Sequence, residues 1–170
     1  YAMNIDGSNP RRLTTTIGYD GGAFFSAYIQ RIVYRASHPT DPAEIDKYKD
    51  LLSQGLVEPG QLEVFVMHAD GSGQRPVTSN GASNFSPFYF PDGKKIIFSS
   101  NVETKGAGGR QSFHLYLIGD DGAGLERLTF DGQFNSFPMF SPDGTRLVWV
   151  SDRLAKAPGE FNVFLADWVP

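Results

Sequence analysis

The sequence has no cysteine, which excludes disulfides and cysteine-ligated metal centres while leaving the compartment open. No apolar run approaches the roughly 18 residues that a membrane-spanning helix requires, so no membrane insertion is expected. Basic residues are outnumbered, with 15 Lys and Arg against 19 Asp and Glu and a formal charge of −4. With an isoelectric point near 5.3, that balance argues against a nucleic-acid partner or an anionic-membrane surface. A Gly-x-Ser-x-Gly string is missing, so a hydrolase nucleophile of that kind has no support. The chain also opens at Tyr1 rather than Met and shows no signal peptide. It is expected to be processed, or cut from something longer.

What the sequence does have is 40% hydrophobic residues, 14 Phe, 19 Gly and 11 Pro among its 170 positions. This is the composition of a soluble globular protein with strand-favouring aromatics. The residues recur in step. Asp6-Gly7, Asp70-Gly71 and Asp121-Gly122 are each followed by a Leu-Thr or Val-Thr pair: Leu13-Thr14, Val77-Thr78 and Leu128-Thr129. Further on come Phe24-Phe25-Ser26, Phe88-Tyr89-Phe90 and Met139-Phe140-Ser141, then Arg31-Ile32-Val33-Tyr34, Lys95-Ile96-Ile97-Phe98 and Arg146-Leu147-Val148-Trp149. Every marker repeats after 64 residues and again after 51. Coincident spacing across several short patterns identifies an internal repeat.

Each copy reads as four short strands. Strand A covers 23–26, 87–90 or 138–141, and strand B follows a tight turn. Strand C covers 62–67, 113–118 or 161–166, and strand D is the short segment ending in the Leu-Thr or Val-Thr pair. Pro-Asp-Gly between A and B, and Asp-Gly between C and D, are turn residues: Pro presets φ, Asp bonds its own backbone and Gly accepts positive φ. The fold class is therefore all-β: three four-stranded β-propeller blades, with one short helix in an insertion. The organisation predicted is strands C–D over about 1–14, then repeats at 15–78, 79–129 and 130–170, the last lacking its final strand. Insertions at 37–60 and 102–111 swell the B-to-C connections. In the first, Asp41 as N-cap, Pro42 at the first helical position and Glu44 predict a helix over 42–54 whose face carries Ile45, Tyr48, Leu51 and Leu52. The second is glycine-rich and is read as a mobile loop; its glycines at 106–109 do not join a strand to a helix as a phosphate cradle would.

The strings Phe140-Ser141-Pro142-Asp143-Gly144 and Phe90-Pro91-Asp92-Gly93-Lys94 are similar to the TolB-type propeller repeat, and the resemblance runs through nearly the whole chain. Ala27-Tyr28-Ile29-Gln30 departs from the Pro-Asp-Gly-Lys pattern, so a looser first A–B turn is expected. Tyr1 aligns with Phe65, Tyr116 and Phe164, so the chain begins and ends in strand C. Three blades cannot close a ring. The expectation is self-association, two three-blade chains completing a six-bladed ring, or membership of a longer chain. The resemblance further implies a non-enzymatic module that binds a protein or peptide partner in the periplasm or cell envelope. A second implication is the propeller of a larger peptidase or amidohydrolase, gating or positioning substrate. A propeller lyase with a funnel metal is a third.

In a propeller the D-to-A and B-to-C connections share one face. That face would gather Tyr19, Asp20, Asn84, Phe85, Asn135 and Ser136 near the axis, and Arg35, His38, Asn101, Asp152 and Arg153 at the ends of the B strands. Loops held on a rigid scaffold are where binding residues concentrate, and the predicted helix would form a partial lid. The plainer reading is that Asn, Ser and Asp satisfy backbone at loop corners. His38, His68 and His114 fall in different places, which counts against a shared metal site. The Asp-Gly strings lack the ligand spacing of calcium loops. Asp120-Asp121 reads as a solvated turn pair rather than an acid–base pair. No cofactor, metal or catalytic residue is expected.

Overall fold

The computed structural model describes residues 1–26, 29–58, 60–105 and 111–169. Ala27 and Tyr28 of the first A–B turn, Pro59 of the first insertion and the glycine-rich stretch 106–110 of the second lie outside the described residues.

Three antiparallel meanders follow one another. The first is β1 (Tyr19–Ser26), β2 (Arg31–Ser37), β3 (Glu63–His68) and β4 (Arg75–Pro76), with helix α1 (Pro42–Ser53) between β2 and β3. The second is β5 (Asn84–Tyr89), β6 (Lys95–Ser100), β7 (His114–Gly119) and β8 (Glu126–Arg127). The third holds β9 (Asn135–Phe140), β10 (Arg146–Ser151) and β11 (Asn162–Asp167), with no fourth strand among the described residues. Ahead of the first sheet, Ala2 bridges Arg11 in the register by which Val66 pairs with Arg75, so the first residues form the C–D hairpin of a preceding blade.

The turn chemistry is as the residues dictate. Asp6, Asp70 and Asp121 each accept through Oδ1 from the backbone N–H two residues on, at 2.9, 2.8 and 3.0 Å. Asp92 and Asp143 do the same in the A–B turns at 2.8 and 3.0 Å. The glycine of the C–D turn has a second duty. A Cβ on Gly71 would lie 3.0 Å from the Leu13 carbonyl oxygen, and one on Gly122 2.9 Å from that of Val77. The C–D turns of the first two sheets therefore pack glycine-close against the end of the preceding strand D. The threonine of the recurring pair is a cap: Thr78 Oγ1 accepts from Val64 N and Thr129 Oγ1 from Leu115 N, both at 2.9 Å.

The inner strands start earlier than the sequence pattern indicates because each contains a bulge. Register shifts occur between Gly21 and Phe24, Phe85 and Phe88, and Ser136 and Met139 in the three inner strands. The corresponding residues Gly22, Ser86 and Phe137 all have left-handed φ, +60°, +47° and +55°. A bulge interrupts strict alternation, which hides the first half of the strand from a period-two reading.

The sheets pack face to face in sequence. Val33, Val64, Val66 and Val77 meet Tyr89, Ile96, Phe98, Tyr116 and Ile118. On the other side of the second sheet, Ile97, Leu115 and Leu117 meet Phe140, Leu147 and Trp149. Leu13 of the leading hairpin packs on Ile32, Tyr34, Ala36 and Met67. Burial of apolar area in these layers is the main source of stability. The far side of the third sheet differs: Val163 and Leu165 are 73% and 63% exposed, whereas Val64, Val66, Leu115 and Leu117, their counterparts, are at most 4% exposed.

The helix starts as its residues indicate. Asp41 accepts from Ala43 N at 2.9 Å and Glu44 N at 3.3 Å, and Pro42 stands at the first helical position. It ends at Ser53 with Gln54 as C-cap. Its apolar face is only half covered, with no buried residue, because the helix lies against the rim of one blade rather than in a core.

Candidate functional site

The predicted loop face divides into buried residues that hold the loops and half-buried ones that leave chemistry exposed. Asn84, Asn135, Ser136 and Asn101 are buried. Asn84 Nδ2 donates to Leu62 O at 2.7 Å and to Asn80 Oδ1 at 3.1 Å. Asn135 Nδ2 donates to Asp131 O at 3.0 Å and to Phe113 O at 3.3 Å. Asn101 Oδ1 accepts from Ser83 N at 2.8 Å, and its counterpart Asp152 accepts from Gln133 N and Phe134 N at 2.8 and 2.9 Å. These groups fasten each D-to-A connection to the strands beside it. Ser136 faces Ser86 between the blades, their hydroxyls 3.4 Å apart.

The first blade is built differently at the same positions. Where the others carry Asn84 and Asn135, it has Asp20, whose Oδ1 pairs with His38 Nε2 at 2.9 Å; His38 stands edge-on to Phe65 at 5.1 Å. Tyr34 lies buried beneath, and burial together with the Asp20 charge raises its phenol to about 12. Where the others carry Ser99 and Val150, it has Arg35. The Arg35 guanidinium donates to Tyr19 Oη at 3.1 Å and lies over the rings of Tyr19 and Phe85, 5.8 and 5.5 Å from their centroids. The structure thus brings Tyr19, Arg35 and Phe85 together, with Asp20 and His38 as a second pair. Arg153 stands apart on the third blade, donating to Asn135 Oδ1 at 3.2 Å and lying over Trp149 and Phe164.

Tyr19 also lines a cleft of about 300 Å³ between α1 and the first sheet, with Ser37, Glu44, Tyr48, Leu51 and Val57 among its other walls. Tyr48 pins the helix there by donating to Gly18 O at 2.6 Å. The helix residues Glu44, Tyr48 and Leu51 were legible as a lid but not as a wall. A further feature is an aromatic row across the face: Phe85, Phe113, Phe134 and Phe161 succeed one another at centroid distances of 5.1, 6.0 and 5.1 Å. The signal that could have found the first is departure from the repeat; for the second it is Phe113 and Phe161 at equivalent positions of adjacent blades, whereas Phe85 and Phe134 stand where the neighbouring blade has Ser136 and Ser83.

Among the described residues no group of three or more His, Asp or Glu is placed to hold a metal ion. Nor is there a helix long and apolar enough to cross a membrane. Asp120 corrects the reading of a solvated turn. It accepts from Arg31 at 2.5 Å, Arg75 at 2.8 Å and Tyr89 Oη at 2.6 Å, joining the first two sheets on the opposite face.

Comparison with known proteins agrees with this architecture. Dipeptidyl-peptidase 5 of Porphyromonas endodontalis is 25% identical over 172 residues, which cover 94% of this chain and 21% of the relative. The crystal structure of TolB from Acinetobacter baumannii superposes with a TM-score of 0.66 at 22% identity, covering 97% of this chain and 34% of that one. A putative TolB from Agrobacterium tumefaciens gives 0.65 at 23% identity, covering 95% of this chain and 50% of the other. The chain thus spans a fifth to a half of the length of these proteins. The TolB beta propeller domain matches residues 49–167, and the chain belongs to that family.

Proposed function

We propose that this chain is a non-enzymatic propeller module that binds a protein or peptide partner through the loop face around the funnel. The observation that carries the reading is the gathering of the side chains that break the repeat. Tyr19, Asp20, Arg35 and His38 lie together on the first blade, with Phe85 of the second beside Arg35 and a cleft of about 300 Å³ alongside. The second and third blades use their corresponding polar groups on backbone. Rigid strands carrying such loops suit recognition, and the likeness to TolB supports the periplasm or cell envelope as its place. The test is a photo-crosslinking amino acid at Tyr19, compared with one at Thr145 in a turn of the opposite face, in the cells that make the protein. A partner captured from Tyr19 and not from Thr145 is expected. Capture from Thr145 alone overturns the assignment.

The alignment with Dipeptidyl-peptidase 5 along 94% of this chain favours a second reading, the propeller domain of a larger peptidase. There the same face would present substrate to a neighbouring catalytic domain. Dipeptidyl-substrate hydrolysis by the full-length protein, with a raised KM in Tyr19→Ala, is its expected signature. No hydrolysis by that protein refutes it.

Self-association follows from the bare side of the third sheet. Its occupant is a further blade of the same repeat, since Val64, Val66, Leu115 and Leu117 are covered by the blade that follows theirs. In the two-chain ring the strand around Arg11–Thr14 of a second copy would complete the third blade. Sedimentation of the purified chain should give a dimer, and a monodisperse monomer at micromolar concentration refutes the second copy as occupant.

A further inference from the structure

We infer that Arg35 anchors a carboxylate-binding subsite, taking an acidic side chain or the C-terminal carboxylate of a peptide. The inference deepens the partner-binding reading and rests on it. Arg31, Arg75, Arg127 and Arg146 each face an Asp or Glu within 4.0 Å. Arg35 faces none among the described residues, and Asp20, the acid on the neighbouring strand, is held by His38. Its guanidinium is nonetheless fixed, by the hydrogen bond to Tyr19 Oη and the Tyr19 and Phe85 rings. A cation held in place before binding loses little freedom when a ligand arrives.

The guanidinium also has unused capacity and open space. Arg35 Nε is shielded from solvent and has no hydrogen-bond partner among the described residues, an unmet donor whose cost a carboxylate removes once it displaces the cover over that atom. The space comes from two glycines. A Cβ on Gly22 would lie 3.5 Å from Arg35 Cζ and 3.6 Å from its Nε and Nη1, so a side chain there would pack over the face of the guanidinium and crowd a ligand approaching it. A Cβ on Gly21 would lie 2.3 Å from Tyr19 Oη, so that glycine lets the tyrosine fold back to the arginine. The other blades carry Phe85-Ser86 and Ser136-Phe137 at these positions, and Ser99 and Val150 in place of Arg35. The opening and the cation therefore occur together, once.

The fork geometry of a guanidinium matches a carboxylate, which it can bind through two parallel N–H bonds. A phosphate would call for more positive charge than one arginine supplies, and Lys47, across the cleft, is paired with Glu58 at 2.7 Å. The flanking Tyr19 and Phe85 rings suit the apolar part of a peptide next to the acid.

The experiment uses three N-acetylated tetrapeptides and the ¹⁵N-labelled chain. They are acetyl-Ala-Ala-Glu-Ala-amide, its Gln counterpart as the amide, and the Gln peptide with a free C-terminus. Binding is read from the Arg35 Nε–Hε resonance, assigned by its absence in Arg35→Lys. The expected result is a saturable shift with the Glu peptide, the free-acid peptide or both, and none with the neutral amide; which acid binds identifies the source of the carboxylate. Gly22→Ser, which keeps the arginine and uses a residue that position tolerates in the second blade, should weaken binding about tenfold at that resonance, and Arg35→Gln, followed through the backbone amide shifts of Gly21 and Gly22, should weaken it as much. Equal binding of all three peptides, unaffected by Arg35→Gln, overturns the carboxylate inference and leaves the partner-binding face intact. No shift at Arg35 with any peptide overturns the inference, and the crosslinking at Tyr19 then decides the broader reading separately.

Discussion

Replacing Asp120 by Ala should loosen the joint between the first two blades, and its size can be worked out. The carboxylate accepts from Arg31 and Arg75 of the first sheet and from Tyr89 of the second. The two arginine side chains are 32% and 40% exposed, so solvent screening leaves each pair only a few tenths of a kcal/mol. Tyr89 is different: it is 4% exposed, and burial and the Asp120 carboxylate push its phenol well above the ordinary range. Its hydroxyl therefore remains a donor at any working pH. A hydrogen bond to a charged acceptor contributes about 1.5–3 kcal/mol, and removing the acceptor leaves a buried donor without a partner. The sum for Asp120→Ala is about 2–4 kcal/mol, a fall in Tm of roughly 5–12 °C for a chain of this size. Asp120→Asn keeps an acceptor for Tyr89 and should cost only about 1 kcal/mol, most of it removable by salt. Thermal melts of both variants, with Tyr89→Phe and the double variant, close a cycle. A change in Asp120→Ala below about 0.5 kcal/mol, or full additivity with Tyr89→Phe, refutes the reasoning.

Thr129→Val preserves shape but leaves Leu115 N without its acceptor, so a loss of about 1–3 kcal/mol is expected in urea melts; an unchanged midpoint would show that the threonine caps nothing. Gly122→Ala and Gly7→Ala compare one turn with and without a neighbouring blade. Both have positive φ, but only Gly122 has a backbone oxygen 2.9 Å from the would-be Cβ, while Gly7 has nothing within 4 Å. Gly7→Ala should cost about 1 kcal/mol and Gly122→Ala clearly more, and equal losses would refute the close packing. His114 is held below its ordinary value, first by burial and next by Arg127. Its folded pKa being lowered, the unfolded chain binds the proton more readily, so the stability it confers above about pH 6.5 declines as pH falls through the lowered value. His114→Gln should flatten that part of the curve, measured as urea midpoints between about pH 7.5 and 5, and an unaltered slope would count against it.

Much of the fold is written in short strings. Asp-Gly and Pro-Asp-Gly act within two residues of chain through Asx bonds, whereas the threonine of the Leu-Thr or Val-Thr pair caps a strand 14 residues back; it is their common spacing that reveals the blades. Asp41 and Pro42 announce the helix in the same way. The inner strands were harder to read, because the left-handed residues Gly22, Ser86 and Phe137 break the alternation that marks a strand.

The candidate site was legible as a face and not as a set of contacts. Tyr19 and Arg35 lie on paired strands of the first blade, but Phe85 comes from the next blade, and nothing local says that it meets them. Asn84 and Asn135 looked equally exposed in the sequence, yet packing of consecutive blades buries them on backbone carbonyls. Asp120 looked like half of a solvated pair until the fold set Arg31, Arg75 and Tyr89 around it. Without cysteine the chain can form no disulfide, and burial of apolar area between the packed sheets holds it together. Turn chemistry and repeat spacing are properties of neighbouring residues and so belong to the sequence. Which polar groups remain available to a partner depends on blade-to-blade packing and desolvation, which exist only once the sheets have assembled.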